Sequence, residues 1–241
     1  MTLRLCVWSG PRTISTALMY SFAQRRDTTV VDEPLYAHYL RVTPADVYHP
    51  GAAEVLRSMD ADGNRVVRDV LLGEYETPVV FFKQMTHHLV ELDLDFLGHM
   101  TNVLLTRDPH DMLRSYAAVV EAPSVADTGY PQSVWLLGEL SRRGQDPAVV
   151  DSTAALTDPE SILRQLCARI GIAFDPGMLS WEAGPRPEDG VWAPHWYAAV
   201  HRSTGFGSPR RHTDPFPEHL RPLLDQCLPY YARLAGAALV P

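Results

Sequence analysis

Short apolar runs alternate with longer amphipathic stretches over much of the chain. A short apolar run between turn residues is typical of a buried strand, and apolar positions three or four apart are typical of a helix. Because alternating strands and helices build right-handed βαβ units, we expect an α/β fold, a three-layer sandwich with a central parallel sheet flanked by helices. The pattern predicts strands over residues 3–8, 28–31, 79–82, 102–106 and 149–151, and helices over residues 13–24, 51–58, 87–96, 109–120, 159–170 and 217–235.

The first predicted strand leads into a turn and a helix start that is rich in hydroxyl groups. The unpaired N–H groups and the positive dipole end of a helix start attract anions, and Arg12 adds a permanent cation whose planar fork matches phosphate oxygens. Helix capping without a ligand is the alternative, and the segment lacks the second Gly and the Lys of the nucleotide-hydrolase loop. The predicted phosphate-binding loop consists of Gly10, Pro11, Arg12, Thr13, Ile14, Ser15 and Thr16.

A second corner between a strand and a helix carries another cation. Asp108 and Pro109 have the pattern of a helix cap followed by a first-turn proline, and Asp111 stands three residues after the cap. Arg107 therefore projects from the carboxyl end of a strand, where open parallel sheets bind ligands, and Ser115 follows two turns into the helix. Arg107 and Ser115 predict a second phosphate site. An ion pair between Arg107 and one of the aspartates is the structural alternative.

Composition and charge narrow the class of protein. The 241 residues suit one α/β domain, and the net charge of −8 argues against nucleic acid as a partner. Cys6, Cys167 and Cys227 lie in apolar stretches without the spacing of a metal site, so we expect reduced core thiols in a cytoplasmic protein. The chain enters a strand almost at once and has no apolar run long enough to span a bilayer. We therefore expect neither a signal peptide nor a membrane contact.

Taken together, the two phosphate-binding segments resemble motifs of the sulfotransferase family that uses 3′-phosphoadenosine 5′-phosphosulfate (PAPS). Residues 11–16 are similar to its P-[KR]-[ST]-G-[ST]-T loop, which holds the 5′-phosphosulfate, with Ile14 in place of the Gly and Ala17 where many members carry an adenine-stacking Trp. Residues 107–116 match its R-x-P-x-D-x-x-x-S-Y motif, in which the Arg and the Ser hold the 3′-phosphate. Residues 155–175 resemble a further helix of the family and its exit. The resemblance implies a P-loop-type fold, PAPS as the sulfuryl donor and adenosine 3′,5′-bisphosphate as a product.

Candidate catalytic side chains follow two other predicted strands. The resemblance implies that Glu33, at the end of the second strand, takes the proton of the acceptor, and that Lys83 contacts the phosphosulfate. Family members with a Lys-x-His sequence use that His as the base. Because the first His comes four residues after the Lys in this chain, His87 and His88 stay candidates beside Glu33.

Two segments rich in Pro and Gly, residues 121–148 and 175–215, predict covers over the site. The family closes over the 3′-phosphate with a late Arg-Lys-Gly loop. The tryptophans of the second segment fit either the packing of a cover or a wall for a small organic hydroxyl or amine compound. Donors comparable to those of the family loop are Arg202, Ser203, Thr204 and Gly205.

The hypothesis is a PAPS-dependent sulfotransferase of one domain, residues 1–241, that acts on a small-molecule acceptor in the cytoplasm. Arg12 and Lys83 would stabilise the charge of the leaving group, so the reaction needs no metal, and the His pair lacks a third metal ligand nearby. Two alternatives stay open: an ATP-dependent small-molecule kinase with Asp32 on Mg²⁺, and a nucleotide-binding protein that has lost its chemistry. The sequence identifies neither the acceptor nor whether the chain forms a homo-oligomer.

Overall fold

Five parallel strands form the sheet at the centre of the molecule. They are β1 (Leu3–Ser9), β2 (Thr28–Asp32), β3 (Val79–Met85), β4 (Thr101–Thr106) and β5 (Ala148–Asp151). In the computed structural model, which describes residues 2–47, 49–209 and 214–241, the strand order is β2-β3-β1-β4-β5, and every neighbouring pair is parallel. The predicted α/β class with a central parallel sheet is confirmed.

Helices cover both faces of this sheet. Side chains of β1 alternate between the two apolar clusters, with Leu5 and Val7 in one and Cys6 and Trp8 in the other. All four are fully buried, which is why the run is almost continuously apolar. The helices of the described residues are α1 (Ser15–Phe22), α2 (Tyr36–Val42), α3 (Ala52–Ser58), α4 (Gly63–Val66), α5 (Pro109–Tyr116), α6 (Tyr130–Arg142), α7 (Ser152–Thr157), α8 (Pro159–Ile170), α9 (Ala193–Trp196) and α10 (Arg221–Ala235).

Aspartates cap four of the described helices, and Asp62 does so at the start of α4. The Asp108 carboxylate accepts a hydrogen bond from the His110 amide, as expected for the predicted cap of α5. Asp151 caps α7 and Asp158 caps α8 in the same way. A side-chain oxygen in this position satisfies an amide that has no partner within the helix.

One predicted helix is wrong, and several helices, among them α2, α4, α7 and α9, were not predicted. Residues 87–96 do not form a helix: a 3₁₀ turn at Thr86–His88 is followed by irregular chain and then by a second 3₁₀ turn at Asp95–His99. Glu91 adopts a φ of 50°, and the Asp93 carboxylate accepts a hydrogen bond from the Asp95 amide, so local turn contacts replace the helical ladder. Conversely, α2 occupies a stretch that the polar pattern predicts to be irregular.

The order of the strands determines where a ligand fits. The chain leaves β1 for the edge strand β2, returns to β3 and then crosses to β4, so the direction of winding reverses beside β1. In open α/β sheets such a reversal leaves a crevice at the carboxyl ends of the strands. Among the helices that the structure describes, none is both long enough and apolar enough to cross a membrane.

Candidate active site

A cleft of about 680 Å³ lies at the carboxyl ends of the strands. Its volume is within the range of small-molecule sites. Of the described residues that line it, none belongs to the segment 121–148, in which α6 instead packs against the core, whereas many belong to the segment 175–215. Residues 210–213 of that second segment lie outside the described residues. The predicted site residues that line the cleft are Gly10, Pro11, Arg12, Thr13, Ile14, Ser15, Thr16, Glu33, Lys83, His87, His88, Arg107, Ser115, Arg202, Ser203 and Gly205.

Among the described residues, Thr204 is the one predicted site residue that does not line this cleft. Its carbonyl oxygen accepts a hydrogen bond from the Trp181 amide at 3.1 Å. The neighbouring Ser203 hydroxyl donates to the Val200 carbonyl at 2.7 Å and accepts from the Trp181 indole at 3.2 Å. The part of the predicted late loop at Ser203 and Thr204 therefore makes contacts that hold the chain in place.

The loop after β1 has the geometry of an anion site. Ile14 precedes α1 without a side-chain cap, so the first amides of the helix are not satisfied by a capping side chain. Gly10 lies so close to the neighbouring chain that a Cβ there would come within 2.5 Å of the Thr128 carbonyl oxygen. Arg12 has a φ of 59°, and its carbonyl oxygen accepts a hydrogen bond from Arg107 Nη1 at 2.8 Å. That bond joins the loop to the end of β4.

The two predicted phosphate sites adjoin one another. Arg12 Nε donates to the Ser115 hydroxyl at 2.9 Å, and Arg12 Nη1 donates to the Trp196 carbonyl at 3.2 Å. Arg107 Nη2 lies 4.0 Å from a carboxylate oxygen of Asp111, so the ion pair considered as an alternative is present, and Arg107 nevertheless lines the cleft. Arg12, which the resemblance assigns to the 5′-phosphosulfate, here contacts the serine assigned to the 3′-phosphate.

Lys83 lies at the centre of a buried polar cluster. Its ammonium donates to Asp32 Oδ1 at 2.9 Å, to Glu33 Oε1 and to the Tyr197 hydroxyl at 2.6 Å, and its side chain is 2% exposed. Asp32 Oδ2 also accepts from the Tyr197 hydroxyl at 2.7 Å and from the Gly190 amide at 3.2 Å. When both carboxylates are ionised, the single ammonium leaves the cluster with one net negative charge.

The environment of Glu33 suits a group that accepts a proton. Burial raises the pKa of the Glu33 carboxyl, and the Asp32 charge raises it further, although the ammonium of Lys83 opposes both. Burial alone would lower the pKa of Lys83, but the two carboxylates outweigh it and hold that pKa above its ordinary value. Glu33 adopts a φ of 42°, and its backbone N–H donates a hydrogen bond to the Lys83 carbonyl oxygen at 2.9 Å. Its side chain is therefore fixed beside the cleft on a constrained backbone.

The two histidines lie in surroundings that weaken them as bases. His88 stacks on Tyr36 and Tyr39, with ring centroids 5.0 and 4.8 Å apart. Burial lowers the pKa of His87 to about 3 and holds the pKa of His88 well below its ordinary value. Both Nδ1 atoms are buried and have no hydrogen-bond partner among the described residues. An imidazole with so low a pKa gains little by taking a proton near neutral pH.

Residues of the segment 175–215, which we call the late segment, complete the Lys83 cluster. The sequence did not predict their role in that cluster. The Trp192 indole donates to the Tyr197 hydroxyl at 3.0 Å, and that hydroxyl joins Lys83 to Asp32. Asp189 ties the same segment to α1 through the Tyr20 hydroxyl at 2.7 Å. The aromatic residues of the segment are visible in the sequence, but no spacing pattern connects Tyr197 with residues more than a hundred positions away.

Comparison with known proteins identifies the family. The model of a sulfotransferase domain matches residues 3–238, which is nearly the whole chain. The chain belongs to this sulfotransferase family. It is also similar to two proteins of Arabidopsis thaliana, the branched-chain-amino-acid aminotransferase-like proteins 1 and 2, at 43% and 41% identity over 225 residues. The match covers 93% of this chain and 40% of each plant protein, so the chain spans about two fifths of the length of these relatives.

Solved sulfotransferase structures share the fold at low sequence identity. The sulfotransferase domain from the curacin biosynthetic pathway superposes with a TM-score of 0.59 at 14% identity, covering 100% of this chain and 99% of its own. The sulfotransferase domain of the Synechococcus PCC 7002 olefin synthase gives 0.56 at 14% identity over 94% of this chain and 95% of its own. A sulfotransferase from Alicyclobacillus acidocaldarius gives 0.55 at 12% identity over 98% and 95%. At these identities the likeness concerns the fold alone.

Proposed function

We propose that this sulfotransferase moves a sulfuryl group from PAPS to a hydroxyl or amine group of a small organic acceptor. The observation that carries the proposal is the convergence of three groups of residues on one cleft. The loop at residues 10–16, the pair Arg107 and Ser115, and the pair Glu33 and Lys83 all line it. The loop follows β1, and Arg107 and Ser115 come from the end of β4 and from α5. Glu33 follows β2, and Lys83 lies two residues before the end of β3.

The donor set fits a ligand with two phosphate groups. Arg12, Arg107 and Ser115 supply two guanidinium groups and a hydroxyl, and the start of α1 supplies backbone amides. Ala17, Leu156 and Phe206 line the same cleft and offer an apolar surface to a flat base. PAPS would supply the sulfuryl group and a phosphate leaving group. The residues of the chain would bind it, orient it and neutralise its charge.

Glu33 is the group we propose for removing the acceptor proton. As the new bond between the acceptor oxygen and sulfur forms, the bond between sulfur and the bridging phosphate oxygen breaks, and the acceptor proton passes to Glu33. Arg12 and Lys83 would stabilise the charge that grows on the bridging oxygen. A carboxylate whose pKa lies above its ordinary value holds such a proton better than an unperturbed one.

The surroundings of Asp32 favour sulfuryl transfer over the kinase alternative. Both of its carboxylate oxygens already accept hydrogen bonds, from Lys83, Tyr197 and the Gly190 amide. A magnesium ligand needs an oxygen that faces the nucleotide phosphates. We therefore propose that the fixed cations of the cleft serve the reaction and that no metal takes part.

Calorimetry with nucleotides tests the proposal. We expect adenosine 3′,5′-bisphosphate to bind without Mg²⁺ and more tightly than ATP does with or without Mg²⁺. Ser115→Ala should weaken the binding of the bisphosphate by about 1.5–3 kcal/mol, the contribution of a hydrogen bond to a charged group. Ser141→Ala, a matched control for an exposed serine on α6, should leave it unchanged. ATP binding that requires Mg²⁺ and exceeds that of the bisphosphate would instead favour a kinase.

A turnover assay separates an active enzyme from an inactive homologue. Radiolabelled PAPS is incubated with the chain and a panel of phenols, alcohols and amines, and labelled products are separated by chromatography. Tight bisphosphate binding without transfer to any acceptor would indicate a nucleotide-binding protein that has lost its chemistry.

The three cysteines are buried and free, which fits the prediction of a cytoplasmic enzyme.

A further inference from the structure

The charges that line the cleft are distributed unevenly. Among the described lining residues, the arginines lie on the phosphate loop, on or beside α5 and in the late segment: Arg12, Arg107, Arg114 and Arg202. The side next to Glu33 has a different balance. Its cation, Lys83, is held by two carboxylates, so that side carries one net negative charge when Glu33 is ionised and ready to accept a proton. The arginines suit the anionic donor, whereas the negatively charged side of the cleft suits an acceptor that carries a positive charge.

Aromatic side chains line the cleft beside Glu33, and we name five of them the ring cluster: Tyr36, His49, His88, Trp192 and Trp196. The ring centroid of Tyr36 lies 5.0 Å from that of His88, 5.1 Å from that of Trp192 and 5.8 Å from that of His49. The rings of His49 and Trp196 lie 6.5 Å apart. The Tyr36 backbone N–H donates a hydrogen bond to the Glu33 carbonyl oxygen at 3.0 Å, so the ring cluster lies next to the proposed base.

The histidines of this region add no positive charge near neutral pH. Burial lowers the pKa of His49, and it lowers those of His87 and His88 much further. Asp127 lies close enough that its charge acts on both His49 and His87, which adds another carboxylate to the surroundings. The faces of aromatic rings carry partial negative charge and attract cations. Rings, carboxylates and neutral imidazoles together make this side attractive to a cation.

We propose that the acceptor is a hydroxyl compound that also carries an ammonium group, and that the ammonium group lies against the ring cluster while the hydroxyl group faces Glu33. The inference rests on the proposed function and names its substrate class. A cationic acceptor balances the net negative charge that Asp32, Glu33 and Lys83 leave unbalanced. An acceptor with a carboxylate would meet that charge unfavourably.

Acceptors that differ in charge but not in shape test this inference. Binding is measured by calorimetry on the full chain saturated with adenosine 3′,5′-bisphosphate, so that no turnover occurs. The probes are tyramine, its neutral isostere 4-propylphenol and the acid 4-hydroxyphenylacetate as one series, and choline with its neutral isostere 3,3-dimethylbutan-1-ol as another. We expect the cationic member of each series to bind roughly tenfold more tightly than its neutral isostere, and the carboxylate to bind most weakly.

Variants of Trp196 connect the preference to the ring cluster. Trp196→Leu should reduce the cationic preference several-fold, Trp196→Phe should retain most of it, and both should keep the bisphosphate affinity. Trp135→Leu changes an exposed tryptophan on α6 that does not line the cleft, and it should alter neither affinity.

Each negative outcome has a distinct meaning. Neutral or acidic members that bind as well as the cationic ones, or a series in which no cationic member binds, would overturn the inference and leave the proposed function standing. Failure of the bisphosphate itself to bind would refute the proposed function instead. A Trp196→Leu variant with an unchanged cationic preference would show that the ring cluster is not the cation site.

Discussion

Replacing Glu33 by Gln removes a proton acceptor while keeping the shape of the side chain. The buried cluster would then contain Lys83 and Asp32 alone, a balanced pair, with Tyr197 still bonded to both. We therefore expect the variant to fold and to bind adenosine 3′,5′-bisphosphate as the unmodified chain does. Its turnover should fall by about 10²–10⁴, the usual contribution of a positioned base, which corresponds to about 2.7–5.4 kcal/mol of lost transition-state stabilisation.

The assay is kcat at saturating donor across a range of pH. Because the pKa of Glu33 is raised, kcat of the unmodified chain should decrease as the pH falls through that raised value, and Glu33→Gln should lack this acidic limb. Glu91→Gln is the matched control, since Glu91 is an exposed glutamate that also has a positive φ. Near-normal turnover in Glu33→Gln, together with its loss in His87→Asn or His88→Asn, would refute the assignment of the base to the carboxylate.

Three further predictions address the donor site and the buried imidazoles. Arg107→Ala should weaken the binding of adenosine 3′,5′-bisphosphate by about 1.5–3 kcal/mol in calorimetry while leaving that of adenosine 5′-phosphosulfate nearly unchanged; equal losses would contradict a role at the 3′-phosphate. Arg12→Ala should reduce kcat more than bisphosphate affinity, because charge grows on the bridging oxygen only during transfer; a loss of affinity at normal kcat would mean that Arg12 acts beside Ser115 instead. Because the pKa of His87 is lowered in the folded chain, the unfolded chain binds the proton more readily than the folded chain does. The free energy of unfolding therefore decreases as the pH falls from about 6.5 towards 3. Between pH 7 and pH 5 we expect His87→Asn to lose about 2 kcal/mol less unfolding free energy than the unmodified chain in urea titrations, and equal losses in both would argue that His87 titrates normally in the folded state.

The sequence was most informative where local chemistry determines local structure. The loop after β1 and the Asp108 cap of α5 follow from residue types at fixed spacing, and so does the position of Arg107 at the end of β4. The false helix over residues 87–96 has apolar spacing typical of a helix, but the turn bonds of Asp93 prevail over it. Such competition between side-chain and helical hydrogen bonds is local and weak, which makes periodicity a poor guide in that stretch.

No pattern in the sequence predicted the contacts between distant parts of the chain. The hydrogen bond from Tyr197 to Asp32 joins residues 165 positions apart, and it depends on how the cover folds over the finished sheet. A tyrosine that packs and a tyrosine that completes a charged cluster look the same in a sequence. The position of Thr204 outside the cleft has the same origin, since the path of the late segment is decided by Asp189, Trp181 and their partners.

The hydrogen bonds of Asp32 with Tyr197 and the Gly190 amide have a consequence for how this protein can diversify. They fasten the segment between Trp181 and Phe206 to the end of β2, and the bond of Tyr20 with Asp189 fastens the same segment to α1. Side chains of that segment that make none of these bonds can change without loosening it. A chimera that carries a foreign segment between Trp181 and Phe206 should therefore remain active when it retains Asp189, Tyr197 and Arg202, and it should acquire the acceptor range of its source. Deep mutational scanning would then find few tolerated substitutions at the positions that hold the segment, Asp189, Trp192 and Tyr197, and selection for new acceptors would act on the positions between them.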